Sequence, residues 1–284
     1  MRILILGGDG MLGHRLLKQL SARHETRVTL RQNLDTYRAY GLFTPDNAYG
    51  DIDVRTTDRL SDVLNEFQPE AVVNCVGIVK QRSEAQSSIP SLEINALLPH
   101  RLANLTGACG ARLLHLSTDC VFSGNRGNYR EHDFADADDL YGRTKFLGEV
   151  AEPHCLTLRT SIIGRELARK AGLLEWFLAQ RDKVAKGYRH AIFSGFTTHE
   201  MARIIERMLV DFPRATGLYQ VSSEPISKYA LLSKVNTTLG LGITLVPDDT
   251  FRCDRSLDSS RFRTEFDYRP PSWGEMVAEL AQKF

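Results

Sequence analysis

An apolar run near the N-terminus, Arg2-Ile3-Leu4-Ile5-Leu6, passes straight into Gly7-Gly8-Asp9-Gly10-Met11-Leu12-Gly13. No other feature of the 284-residue chain restricts its fold as strongly. A short buried strand, then glycines in GxxGxxG spacing, then Met11, Leu12, Leu16, Leu17 and Leu20 at helical intervals predict a strand–turn–helix unit. In such a unit the glycines permit a tight turn. They also let the backbone approach a pyrophosphate and let the helix sit close on the strand. The helix start offers unpaired N–H groups and the positive end of its dipole to phosphate. Gly7, Gly10, Met11, Leu12 and Gly13 are therefore the first candidate cofactor-binding residues, and the cofactor is a dinucleotide.

The first half continues the same alternation. Residues 27–30, 71–76, 112–117 and 155–160 read as strands. Leu60, Val63, Leu64 and Phe67 form a helical stripe closed by Pro69, and Leu92, Ile94, Leu98, Leu102 and Leu105 form another, bent at Pro99. Residues 31–51 are loop-rich. Strands alternating with helices imply right-handed βαβ units, hence an α/β fold with a Rossmann-type doubly wound parallel sheet. Helices are expected at 166–180, 198–209, 227–239 and 272–283. The expected division is a dinucleotide-binding domain over 1–164, with some later segments returning to it. A smaller C-terminal mixed α/β substrate lobe takes most of 165–284.

Composition removes several function classes. The net charge is +1, so no charge excess points to nucleic acid or a membrane surface. No segment approaches about 18 uninterrupted apolar residues. The N-terminal apolar run is too short for a signal peptide. Cys75, Cys109, Cys120, Cys155 and Cys253 form no CxxC pair, and their odd number fits a reducing, cytoplasmic setting in which they serve as small buried hydrophobes. The eight histidines show no HxH or HExxH spacing, so no metal site is expected.

Two further features carry chemistry. NAD-selective sites place a carboxylate after the second strand, but here that position reads Leu30-Arg31-Gln32-Asn33. Arg31 is suited to a 2′-phosphate, which favours NADPH, with NAD as the alternative. Tyr141-Gly142-Arg143-Thr144-Lys145 is a YxxxK, and residues four apart share one helix face. Tyrosine has a pKa near 10, and a neighbouring ammonium favours its phenolate. Such a tyrosine is a proton donor to a carbonyl oxygen as hydride reaches the carbon. Thr118 stands at the carboxyl end of a predicted strand, where open α/β sheets bind ligands, and its hydroxyl can polarise that carbonyl.

With these motifs the chain resembles the extended short-chain dehydrogenases, and most of all the dTDP-4-dehydrorhamnose reductase family. The resemblance runs nearly end to end. It includes Gly7–Gly13, Asp53-Val54, Asn95-Ala96-Leu97, Ser117-Thr118-Asp119-Cys120-Val121-Phe122, Tyr129 with Glu131 and Asp133, Tyr141–Lys145, Arg159-Thr160-Ser161, and Ser256-Leu257-Asp258 before Arg269-Pro270-Pro271. The resemblance implies Thr118, Tyr141 and Lys145 as the catalytic set, with Tyr141 and Lys145 also touching the cofactor. It implies Asp53 and Val54 in an adenine pocket and Gly77 beside the nicotinamide half. It further implies Asn95 as a support of the lysine through water.

Departures from the family bear on the substrate. Sugar-nucleotide 4,6-dehydratases of this superfamily carry Thr-Asp-Glu, where this chain has Thr118-Asp119-Cys120. The reductases follow Arg-Thr-Ser with tryptophan, where this chain has Ile162. Their Asp-Gln-x-Gly-x-Pro-Thr stretch is replaced by residues 192–198, in which Ser194 and Thr197 are candidate sugar contacts. Arg255, Arg261 and Arg263 supply one candidate diphosphate ligand. The expectation is NADPH-dependent reduction of a nucleotide-linked 4-keto-6-deoxy sugar. An epimerase on the same scaffold and a non-catalytic NADP-binding regulatory subunit stay open, as does a homodimer.

Overall fold

A computed structural model describes residues 1–79, 87–168 and 170–282. In chain order the elements are β1 (Arg2–Leu6), α1 (Gly13–Leu20), β2 (Glu25–Thr29), β3 (Ala48–Tyr49), α2 (Thr57–Phe67), β4 (Ala71–Asn74), α3 (Ser88–Ser91), α4 (Leu98–Ala108), β5 (Arg112–Thr118), α5 (Leu140–Leu147) and β6 (Cys155–Thr160). There follow β7 (Ile162–Ile163), α6 (Leu173–Leu178), β8 (Val184–Phe193), β9 (Phe196–Thr197), α7 (Thr198–Val210), β10 (Gly217–Gln220), β11 (Ile226–Ser227), α8 (Lys228–Leu239), β12 (Thr244–Asp254), α9 (Ser260–Glu265) and α10 (Trp273–Gln282).

A seven-stranded sheet has the order β10-β6-β5-β4-β1-β2-β3. β1 pairs in parallel with β2 on one side and β4 on the other, and β3 and β5 extend this parallel run. The strand order reverses between β1 and β4, which is the switch point where open α/β sheets take ligands. Helix cover explains the strand sequences. Ile3 to Leu6, Ala71 to Asn74 and Cys155 to Thr160 are buried at every position, as a sheet covered on both faces requires. The core between sheet and helices joins Leu4, Leu6 and Val72 to Leu60, Val63, Leu64 and Phe67 of α2.

The Rossmann-type sheet is as expected, and most first-half elements fall where the periodicity puts them. α2 ends with Gln68 in the left-handed region, φ 49°, immediately before Pro69. That fits the exclusion of helical backbone ahead of proline. The expected bend at Pro99 takes the form of a π-turn over Leu92–Leu97 that leads into α4, with Pro99 in the first turn. Proline has no N–H to give to the carbonyl four residues back. Residues 31–51 contain a 3-10 segment, Leu34–Tyr40, and the edge strand β3.

The chain forms two compact units. The first takes Met1–Ser117, Asp139–Leu158 and Ile204–Leu218; the second takes Thr118–Asp138, Arg159–Arg203 and the chain from Tyr219 onward. The expected division at 164 had later segments returning to the first domain; in the structure the chain passes between units five times. The second unit contains a three-stranded sheet, β11-β8-β12, and the pair β7-β9. Neither β8 nor β12 was expected from the sequence. β12 contains Pro247 and Asp248-Asp249, which argue against a central strand. It is an edge strand whose register with β8 shifts between Asp248 and Arg252.

The helix expected over 166–180 shrinks to α6. The Glu166 carboxylate accepts the N–H groups of Ala171 (3.2 Å) and Gly172 (2.6 Å), and Glu175 accepts Glu166 N–H (3.0 Å), so two glutamates tie residues 166 and 170–172 in non-helical backbone. The other three helices stand as expected within a residue or two, although Lys283, the expected end of the last, lies outside the described residues. α8 shows why: Ser227 Oγ caps it by accepting Ala230 N–H at 3.1 Å, and Gly240 closes it at φ 57°. Among the described residues no helix is long and apolar enough to cross a membrane.

Candidate functional site

In the first unit the glycine turn is built on backbone approaches that side chains would block. Gly7 has φ +83°, and a Cβ there would lie 3.1 Å from Val76, just beyond β4. A Cβ on Gly13 would overlap the Gly7 carbonyl oxygen outright and lie 2.9 Å from its carbon. The start of α1 thus sits directly on the turn, and Leu12 provides no side-chain cap. A helix start left uncapped behind a glycine turn is the kind of place that suits a phosphate. The turn is braced from both sides. Gly8 N–H donates to Thr29 O (2.9 Å), and the His14 ring meets Gly10 O at 2.8 Å. Burial lowers the His14 pKa, so the ring is neutral.

After β2, Leu30 N–H donates to Tyr49 O (2.8 Å), Asp51 N–H to Gln32 O (3.1 Å) and Ile52 N–H to Leu30 O (3.0 Å). This zipper brings Arg31, which is exposed, into Coulombic range of Asp53. The Asp53 carboxylate is gripped by the Arg55 guanidinium, whose Nε lies 2.9 and 3.0 Å from its oxygens. That hydrogen bonding, with a smaller pull from Arg31, holds its pKa at about 2. Val54 is buried in the core cluster. Arg31 and Arg55 thus both act on Asp53 in the segment after β2.

β4, β5 and α5 converge behind the turn. Lys145 is 5% exposed, and its Nζ donates to Leu116 O at 2.7 Å. Burial lowers its pKa to about 8, against the opposing pull of the Glu149 charge. Tyr141 stands four residues earlier on the same helix, half-buried. Asn95 is committed at both ends. Its Oδ1 accepts Ile78 N–H (2.9 Å), while Nδ2 donates to Ile78 O (3.0 Å) and Thr144 Oγ1 (3.3 Å). It therefore clamps the Gly77–Ile78 backbone to α5 beside Lys145. Asn74 Nδ2 donates to His115 Nδ1 (3.1 Å), and burial holds His115 far below its usual pKa.

In the second unit Thr118 caps a short 3-10 turn, Asp119–Val121. Its Oγ1 accepts Cys120 N–H and donates to Asp119 Oδ1, both at 3.1 Å. Asp119 is buried, which raises its pKa, while Thr118, Arg255 and Lys228 pull the other way. Arg255 is oriented by Nε donating to Phe122 O at 2.7 Å. Arg261 instead lies 4.3 Å over the Tyr219 ring, and Arg263 is spent on Glu224, Ser259 and Ser222. Ser194 and Thr197 are 3% and 1% exposed. Ser194 Oγ accepts Leu257 N–H (3.1 Å), and Thr197 Oγ1 accepts Glu200 N–H (3.3 Å) at the start of α7. As placed, both hydroxyls are engaged in hydrogen bonds within the second unit.

The structure adds residues that the sequence reading did not single out: His14, Arg55, Ser117, Thr144 and Glu149. Glu149 alone left a signal, since it follows Lys145 at four residues.

The sequence family described as the RmlD substrate binding domain matches residues 1–284. A dTDP-4-dehydrorhamnose reductase of Aggregatibacter actinomycetemcomitans is 26% identical over 305 residues, covering 98% of each chain. Methionine adenosyltransferase 2 subunit beta of Bos taurus is 27% identical over 155 residues, 53% of this chain and only 42% of that protein's length. Among solved structures, a dTDP-4-dehydrorhamnose reductase from Bacillus anthracis in complex with NADP superposes with a TM-score of 0.81 at 19% identity, covering 99% of both chains. At that identity the likeness speaks for the fold.

Proposed function

The chain belongs to the RmlD substrate binding domain family, and from that premise we propose that it reduces the keto group of a nucleotide-linked 4-keto-6-deoxy sugar with NADPH. It is an NAD(P)-dependent oxidoreductase of the sugar-nucleotide reductase kind, similar over its whole length to a dTDP-4-dehydrorhamnose reductase. The observation that carries the reading is the buried Lys145 ammonium. It is anchored on Leu116 O, one helical turn from Tyr141, in the unit that also holds the Gly7–Gly13 cradle.

The residues present fit a dinucleotide. The overlap that any Cβ on Gly13 would meet leaves the helix start bare for a pyrophosphate, and Arg31 and Arg55 suit a 2′-phosphate. Gly7, Gly10, Met11, Leu12 and Gly13 would hold the pyrophosphate, and Asp53 and Val54 the adenine side. Gly77 would meet the nicotinamide half. When bound, the reduced nicotinamide supplies the hydride. Tyr141 gives its phenolic proton to the carbonyl oxygen. Lys145 holds a positive charge beside the resulting phenolate, which lowers the cost of that transfer. Thr118 is the further hydroxyl that the resemblance assigns to the carbonyl, and Arg255 is the arginine best oriented for a diphosphate. Ser194 and Thr197 shape the lobe from behind and leave the sugar to other groups.

NADPH absorbance decay with a panel of keto sugar nucleotides tests the reading. Absence of oxidation with all of them, by folded protein that binds NADPH, refutes it. The match to an adenosyltransferase subunit favours one second reading, a cofactor-binding subunit without turnover. A stoichiometric partner in pull-down, together with no oxidation, would establish that alternative.

A further inference from the structure

We propose that Glu149, held on the same strand end as Lys145, is the positioning residue that keeps the Lys145 side chain charged, a role that rests on the reductase reading above. Neighbouring residues of one strand fix both side chains. Lys145 Nζ donates to Leu116 O at 2.7 Å, and Ser117 Oγ donates to Glu149 Oε1 at 2.6 Å. Tyr141, Lys145 and Glu149 follow each other at intervals of four. α5 ends at Leu147, yet its turn continues: Gly148 N–H donates to Lys145 O (3.2 Å) and Glu149 N–H to Phe146 O (3.1 Å).

The local packing is shaped to bring Glu149 there. A Cβ on residue 148 would overlap Asn95 O and lie 3.0 Å from its carbonyl carbon. Only glycine lets the end of the helix close on that carbonyl. Pro99 stands four residues after Asn95 and has no N–H to occupy the same oxygen. The chain therefore presses Gly148 against the π-turn and delivers Glu149 to β5.

Cys75, just past β4, is the other group that bears on the ammonium, but burial pushes its thiol up to about 12, so it is neutral where Lys145 titrates. His115 on β5 is kept neutral by burial, and His100 on α4 lies beyond it. Glu93 on the π-turn bears on Arg55. The Tyr141 phenol stands one turn back. Burial pulls Lys145 toward the neutral amine, and the Glu149 charge pulls it back. A neutral amine would attract the phenolate far less, so the counter-charge sets the pH range over which Tyr141 can give up its proton.

The test titrates full-length protein carrying 13Cε-labelled lysine, without substrate. The Lys145 resonance is assigned by its loss in Lys145→Met. The wild-type midpoint is expected at about 8. Glu149→Gln is expected to lower it by about one pH unit, as loss of a nearby opposite charge does, and Glu149→Asp to restore part of it. The alkaline limb of kcat should move by the same amount on any keto sugar nucleotide that is turned over. If Glu149→Gln does not fold, Ser117→Ala frees the carboxylate from β5 and should move the midpoint in the same direction. A lysine midpoint unmoved in a folded variant, with only the melting temperature lowered, overturns the proposal. A moved midpoint with no turnover on any substrate overturns the reductase reading instead and leaves the lysine–glutamate coupling standing.

Discussion

Replacing Lys145 by methionine separates what the residue does for chemistry from what it does for stability. Burial brings its pKa from 10.5 to about 8. At about 1.4 kcal/mol per pH unit, keeping the charge in the native state at neutral pH costs about 3 kcal/mol relative to water. The unfolded chain holds this proton up to about pH 10.4, and the native chain only up to about 8. Between those limits the unfolded state binds more protons, so the native state gains stability as pH rises. Below 8 the cost is present in full. Lys145→Met has no such group, but it leaves Leu116 O without its donor, a loss of about 1–3 kcal/mol that does not depend on pH. Near pH 7 the two effects roughly offset, and the variant should lie within about 2 kcal/mol of wild type. From pH 7.5 to 10 the difference between the proteins should grow by about 2–3 kcal/mol in favour of wild type. Urea unfolding of both proteins across that range measures it, because groups common to the two cancel in the difference. NADPH turnover should be lost throughout. A difference that stays flat or shrinks with rising pH would refute a buried, charged lysine.

Four other substitutions test the remaining assignments. Gly13→Ala forces a methyl into the Gly7 carbonyl and should destabilise by about 1–3 kcal/mol and weaken NADPH binding at least tenfold by fluorescence titration. Gly10→Ala, whose nearest protein contact is a single oxygen at 3.2 Å, should destabilise far less. Arg31→Ala should raise the NADPH Kd by about 10- to 100-fold while leaving NADH nearly unchanged, and an equal loss for both would remove Arg31 from the 2′-phosphate. Thr197→Ala should cost about 1 kcal/mol by losing the cap on α7 with little change in the sugar-nucleotide KM, whereas a large KM increase at unchanged stability would return it to the sugar.

How much of this was legible depended on whether the evidence was local. β1, the glycine turn and α1 follow one another along the chain, and each leaves its own period or glycine spacing. α8 carries both of its caps in sequence, Ser227 and Gly240. β12 was hidden because its pairing with β8 is long-range, and because Pro247 and the aspartates, tolerable at an edge, look like a loop. The site divides the same way. Tyr141 and Lys145 are readable as a spacing, but the burial that tunes Lys145 is assembled from Cys75 after β4 and His115 on β5, which no spacing links to it. Thr197 is ambiguous in the sequence because its hydroxyl is equally suited to a helix start and to a sugar, and the structure shows the helix contact.

The choice between reduction and elimination turns on one position. The fold and the YxxxK are shared across the superfamily, so neither separates the two reactions. Removing water from a sugar needs a base for the proton beside the keto group, and the dehydratases this chain resembles place a glutamate after the Thr-Asp pair. Here that residue is Cys120, whose thiol burial pushes up to about 12. A neutral thiol cannot take that proton near neutral pH. The neighbouring Asp119 accepts the Thr118 hydroxyl at 3.1 Å, which ties its carboxylate to its own turn. A neutral thiol at that one position, in place of the dehydratases' glutamate, favours adding hydrogen to a carbonyl over removing water from its neighbour.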